Sequence, residues 1–189
     1  FKQAKSIAWD YMKQFTAKIP HTKFNETELR VDLPNGARIT LLGSESPDGL
    51  RGIYLDGCVI DEYANVNSKL FPEIIRPALS DRKGYCVFIG TPMGMNNNFY
   101  ELYQHAQGAE DWFNYKAKAS DTKIVDNDEL VKAKEVMGEK KYLQEFECDW
   151  IANIEGAVYG DVIAKLDDDK HLTRVPYDPA LPVSTAWDL

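Results

Sequence analysis

Two continuously apolar runs, GCVI at residues 57–60 and YCVFI at residues 85–89, decide the fold class of this chain. Neither run alternates between apolar and polar residues, which is typical of strands covered on both faces in a parallel sheet. Stretches with helical spacing of apolar residues follow them, over 70–78 after a predicted Ser68 cap and over 99–106. Strand, helix, strand, helix is the order of an α/β fold with a parallel sheet and flanking helices.

Shorter patterns predict the remaining elements. Apolar residues at three- and four-residue steps predict a helix over 3–18 that packs one face on a core. Alternation on both sides of the PNG turn at residues 34–36 predicts a β-hairpin. Residues 113–119 are a candidate further strand, and Asp126 is the predicted cap of a helix that ends near Gly138.

Composition and charge limit the class of protein. The chain has 189 residues, 44% of them hydrophobic and 28% charged, which is an ordinary globular composition. No apolar run approaches the roughly 20 residues of a membrane helix. The net charge of -8 argues against binding of nucleic acid through the overall charge of the protein. It is compatible with a local basic strip on the surface. Three cysteines, an odd number, favour a reducing environment over a disulfide scaffold.

Two adjacent carboxylates, Asp61 and Glu62, are the first polar residues after the first apolar run. Ligands of open α/β sheets bind beyond the carboxyl ends of the strands, so this position is favourable for catalysis. In a nucleoside triphosphatase, Asp61 would hold Mg²⁺ through water and Glu62 would orient and polarise the attacking water. The alternative is that the pair begins a solvent loop or caps the following helix.

The second apolar run ends in the loop Gly90-Thr91-Pro92-Met93-Gly94. A hydroxyl at the end of the strand next to the carboxylates can contact a γ-phosphate or its attacking water. Loss of that contact after hydrolysis can then alter the position of the loop that follows. By itself the segment predicts only a turn. Because the neighbouring strand is followed by Asp61 and Glu62, the functional interpretation of Thr91 is favoured.

Together, the segments 50–52 (LRG), 59–64 (VIDEYA) and 90–94 (GTPMG) resemble the large terminase subunit of tailed double-stranded DNA bacteriophages. The resemblance covers nearly the whole chain and implies a RecA-like, P-loop NTPase-type sheet followed by an RNase H-like nuclease domain. We expect the later part of the ATPase domain over 1–150, and a linker with the first nuclease strands over 151–189.

The resemblance also implies roles for two further residues. Arg51 would act as a trans-acting finger on the nucleotide of a neighbouring subunit; the alternative is a surface arginine paired with Asp48 or Asp56. Asp188, at the end of a strand-like segment, would be a metal ligand of the nuclease, with Mg²⁺ or Mn²⁺. No glycine-rich phosphate loop occurs in the sequence, and we expect it upstream, in a longer protein of which this chain is a fragment without activity of its own.

The family implies an ATP- and Mg²⁺-dependent motor that drives double-stranded DNA into a procapsid and cuts concatemers with a metal-dependent endonuclease. Its implied partners are DNA, the small terminase subunit, the portal protein and further copies in a ring, with no membrane, in the cytoplasm of the infected bacterial host. Two alternatives remain open. One is a helicase or other RecA-like translocase, and the other is a non-catalytic interaction domain with remnant carboxylates.

Overall fold

The computed structural model describes residues 2–44, 50–151, 162, 165–166 and 169–171. This part of the chain forms two compact units that divide between Thr91 and Pro92. The domain boundary predicted at residue 151 borders residues outside the described part and stays a prediction. None of the described helices is both long enough and apolar enough to cross a membrane.

The first unit contains two small sheets with their helices. Its elements are α1 (Lys2–Thr16), β1 (Lys23–Asn25), β2 (Arg30–Asp32), β3 (Arg38–Thr40), β4 (Gly57–Ile60), a 3-10 turn (Tyr63–Asn65), a π-helical turn (Leu70–Ile75) continuous with α2 (Arg76–Ser80), and β5 (Tyr85–Phe88). The second unit contains helices α3 (Asn98–Ala106), α4 (Ala119–Thr122), α5 (Asn127–Met137) and α6 (Glu139–Glu147).

The two apolar runs form a parallel strand pair, which confirms the predicted α/β arrangement. Strands β4 and β5 pair in register from Gly57 opposite Tyr85 to Ile60 opposite Phe88. A Cβ at position 57 would lie 2.6 Å from the Tyr85 ring, so a larger residue there would displace this exposed side chain. The helical segment between the strands buries Leu79, only 2% exposed.

One face of this strand pair differs from the prediction. Both strands were predicted to be covered on both faces, yet Val59 is 60% exposed, Val87 41% and Ile89 50%. The other face is covered, because Tyr63 and Phe71 pack their rings on Phe88 at 4.7 Å. The described residues therefore supply only one of the two layers that a parallel sheet requires.

The predicted hairpin is present as β2 and β3, and β1 adds a third antiparallel strand that the sequence analysis missed. The predicted apolar face of α1 is wrong in part. Tyr11 and Phe15 are exposed, whereas Trp9 faces the sheet and is 4% exposed. The physical reason is burial: Trp9 packs in a core cluster with Leu29 and Val31, and its indole N–H also donates to Glu26 at 2.5 Å.

Two local predictions fail and one holds. Residues 113–119 form no strand. In this segment the Asn114 side-chain amide donates a hydrogen bond of 3.2 Å to the Ala106 carbonyl at the end of α3. Ser68 caps no helix, since the π-helical turn begins after Lys69 without a side-chain cap. Asp126 does cap α5, accepting from the backbone N–H of Asp128 at 2.8 Å.

Candidate functional site

The strand pair remains hydrogen-bonded beyond the ends of β4 and β5. The N–H of Ile89 donates to the Ile60 carbonyl at 2.9 Å, and the N–H of Tyr63 donates to the Ile89 carbonyl at 3.0 Å. The turn between Ile60 and Tyr63 is thereby fixed beside the chain that leaves β5. The structure brings three of the predicted site residues to this edge: Asp61, Glu62 and Thr91.

Asp61 is exposed at this edge, and its orientation is fixed locally. Its Oδ1 accepts a hydrogen bond from the backbone N–H of Glu62 at 3.0 Å. Protein Mg²⁺ sites commonly use one or two carboxylates, with water and phosphate oxygens completing the coordination. An exposed carboxylate held at a strand end fits that requirement.

Glu62 adopts an unusual backbone conformation. Its φ of 51° and ψ of 44° are left-handed helical, which costs a non-glycine residue about 1–2 kcal/mol. The residue precedes the 3-10 turn, yet its side chain makes no capping hydrogen bond. The Asn65 amide instead donates to Glu62 Oε2 at 3.4 Å. The geometry therefore does not support the helix-capping part of the alternative, and the other part, that the pair begins a solvent loop, stays open.

A buried aromatic contact holds the strained turn in place. Tyr63 directly follows Glu62, is 3% exposed and packs edge-on against Phe88 of β5, with ring centroids 4.7 Å apart. The turn is thus anchored to the neighbouring strand by a hydrogen bond and by ring packing. Sequence reasoning missed both Tyr63 and Asn65, although an asparagine three residues after the glutamate was a readable signal.

Thr91 is half-buried and is the last residue of the first unit. It follows Ile89, the last residue paired with the turn after β4, by two residues. The loop of the second unit that begins at Pro92 is stiffened from within. The Asn97 amide donates to the carbonyls of Met93 at 3.0 Å and Gly94 at 2.8 Å, and its oxygen caps α3.

Arg51 lies elsewhere on the first unit, on a cleft of about 260 Å³ formed with the π-helical turn and α2. Its guanidinium is 57% exposed and lies 4.0 Å from the Glu73 carboxylate. Of the two partners weighed from the sequence, Asp56 pairs with Arg82 at 2.8 Å, and Asp48 is outside the described residues. Within the described part, the residues lining this cleft do not include Asp61, Glu62 or Thr91.

The predicted nuclease ligand, Asp188, lies outside the described residues. Within those residues, no three histidine, cysteine, aspartate or glutamate side chains form a group able to hold a metal ion. Metal binding by Asp61 would therefore depend on water and on ligand oxygens, as is usual for Mg²⁺ with a nucleotide.

Comparison with known proteins gives a family match over most of the chain. A family profile described as "Terminase large subunit, T4likevirus-type, N-terminal" matches residues 1–160. The terminase large subunits of Thermus phage G20c and Thermus virus P23-45 are each 42% identical to this chain over 60 residues. The aligned segment covers 32% of this chain and only 12% of the length of each relative.

The fold is similar to that of a solved relative. The ATPase domain of the large terminase of Thermus phage P74-26 superposes with a TM-score of 0.60 at 21% identity. The superposition covers 77% of this chain and 70% of that domain. At this identity the likeness shows the fold, an α/β arrangement like that of a large terminase ATPase domain.

Proposed function

Because this chain belongs to the T4-like-virus-type family of terminase large subunits, we propose that it is part of a motor that couples ATP hydrolysis to packaging of double-stranded DNA. The observation that carries the proposal is the paired strand edge with Asp61, Glu62 and Thr91. Nothing else in the described part combines the ends of parallel strands with adjacent carboxylates.

The residues at this edge divide the chemistry between them. Bound Mg²⁺ would supply positive charge that offsets the charge developing on the transferring phosphoryl group. Asp61 holds that ion through its coordinated water. Glu62 orients the attacking water and accepts its proton, and the hydrogen bond from Asn65 fixes the direction of the carboxylate.

Thr91 couples the site to the next unit of the chain. Thr91, three residues after the end of β5, would contact the γ-phosphate or its water when nucleotide is bound. When the γ-phosphate is lost, Thr91 loses this contact. The resulting movement of Thr91 is transmitted along the backbone to the loop that begins at Pro92. Asn97 makes that loop suitable for transmission, since it ties Met93 and Gly94 to the start of α3.

The phosphate loop of the ATPase site is supplied by chain outside these 189 residues. The absence of a glycine-rich phosphate-loop motif from the sequence supports this part of the proposal. The described residues also leave one face of β4 and β5 uncovered, as expected if a further layer of the sheet carries the loop that holds the β- and γ-phosphates.

We further propose a nuclease site that includes Asp188. The proposed partners are the small terminase subunit, the portal protein and further copies of the chain in a ring. The proposed place of action is the cytoplasm of the infected bacterial host. These proposals follow from family membership. In such a ring Arg51, which is 57% exposed and lies 4.0 Å from Glu73, would act on a neighbouring subunit's nucleotide.

Arg51→Ala should reduce ATP hydrolysis to the unstimulated rate while leaving nucleotide affinity intact, because a finger acts only when subunits assemble. The measurement is hydrolysis by the full-length protein with and without DNA and procapsid. Arg82→Ala is the matched control: Arg82 is similarly exposed and paired with Asp56, and the variant should retain stimulation. If Arg51→Ala subunits mixed with wild type lower the rate only in proportion to their mole fraction, the trans role is wrong.

A further inference from the structure

Two cysteines of the parallel strand pair lie directly opposite each other. Cys58 of β4 is in register with Cys86 of β5. Side chains at paired positions of parallel strands point to the same face, so the two thiols stand side by side. Both are free and only partly buried. The proposed ATPase chemistry uses neither of them.

The spacing of the two backbones is compatible with a covalent link. Adjacent strands lie about 4.8 Å apart, within the range of roughly 4.4–6.8 Å that separates the Cα atoms of disulfide-bonded cysteines. The strands are held closely at the preceding pair, where the Tyr85 ring lies against Gly57. Cβ atoms at this spacing must approach by roughly 0.3–1.3 Å to reach the 3.5–4.5 Å of a disulfide, and a strained disulfide of this kind is readily reduced.

The two thiols also differ in reactivity. The hydrogen bond from Cys86 lowers the pKa of Cys58, and the same contact together with burial raises the pKa of Cys86. Because the thiolate is the nucleophile, Cys58 is the attacking sulfur. Cys148, in the second unit, has its pKa raised mainly by burial and has no cysteine opposite it.

We propose that Cys58 and Cys86 form a paired-thiol modification site that closes reversibly to a disulfide by exchange with a low-molecular-weight disulfide such as oxidised glutathione. The Cys58 thiolate attacks one glutathione sulfur, breaks its S–S bond and releases one glutathione thiolate. Cys86 then gives up its proton to solvent and attacks the Cys58 sulfur, releasing the second glutathione thiolate. Two protein thiols are oxidised, and one oxidised glutathione is reduced to two glutathione molecules.

The test uses the reduced full-length protein incubated with oxidised glutathione. Of the thiols of Cys58, Cys86 and Cys148, the first two should be lost, and peptide mapping should recover a Cys58–Cys86 link with a mass about 2 Da below the sum of the two reduced peptides. Reduced glutathione should restore both thiols. Cys148→Ser should give the same link, whereas Cys58→Ser should form no internal disulfide.

Three results would overturn the proposal. The first is a stable glutathione adduct as the end product of the wild-type protein. The second is a disulfide that involves Cys148. The third is that the thiols of the folded protein stay unreacted under conditions in which the urea-unfolded protein reacts. Since the wild-type chain gives the decisive result, the test does not depend on the folding of any variant. It also requires no ATPase activity and is therefore independent of the proposed function.

Discussion

Glu62→Gln should lower ATP hydrolysis by the full-length protein about 10²–10⁴-fold while leaving ATP binding intact. The amide has the size of the carboxylate but cannot accept the proton of the attacking water. Because the side chain is exposed at the strand edge and makes no capping bond, the substitution should not disturb the fold. Hydrolysis is measured at saturating ATP, and binding by equilibrium titration of the same preparation.

A matched variant separates this role from a general effect of charge. Glu28→Gln removes one negative charge from an exposed glutamate in the turn between β1 and β2 of the same unit. It should hydrolyse ATP at the wild-type rate. Wild-type turnover by Glu62→Gln would show that a different carboxylate activates the water.

Asp188→Ala should abolish metal-dependent DNA cleavage by the full-length protein and leave ATP hydrolysis largely intact. Cleavage of a phosphodiester by two metal ions needs carboxylates that hold the ions about 3.5–4 Å apart, so loss of one ligand removes the site. The ATPase carboxylates, Asp61 and Glu62, belong to a different proposed domain. Cleavage is measured with Mg²⁺ and with Mn²⁺ on concatemeric DNA.

Both activities must be measured on one preparation of the Asp188→Ala protein. Retained cleavage would refute the role as a metal ligand. Loss of both activities would indicate misfolding. The nuclease assignment would then be tested with Asp188→Asn, which keeps the side-chain shape. That variant should lose DNA cleavage and retain ATP hydrolysis.

The sequence was sufficient to predict the strand pair and the place of its polar residues. Continuous apolar runs require burial, and a parallel pair puts the residues that follow both strands at one edge. That is why the sequence predicts Asp61 and Thr91 in a common site, which stays a prediction. The Asp126 cap was also predictable, because its hydrogen bond is local to the chain.

The failures arise where one tertiary contact outweighs a periodic pattern. The helical spacing of α1 favoured the face with Tyr11 and Phe15, but Trp9 packs against Leu29 and Val31 and so sets which side is buried. The exposure of Val59 could not be predicted, because the layer that would cover it is not among the described residues. The left-handed backbone of Glu62 is equally invisible in sequence, since it depends on the pairing of Tyr63 with β5.

The most direct test of the proposed ATPase site is the location of the bound metal. The full-length protein would be crystallised with Mn²⁺ and a non-hydrolysable ATP analogue, and the ion located by its anomalous scattering. The account predicts the ion beside Asp61, bridged by its coordinated water, with the Glu62 carboxylate facing the γ-phosphate and Thr91 next to it. An ion and nucleotide bound away from the ends of β4 and β5 would contradict it.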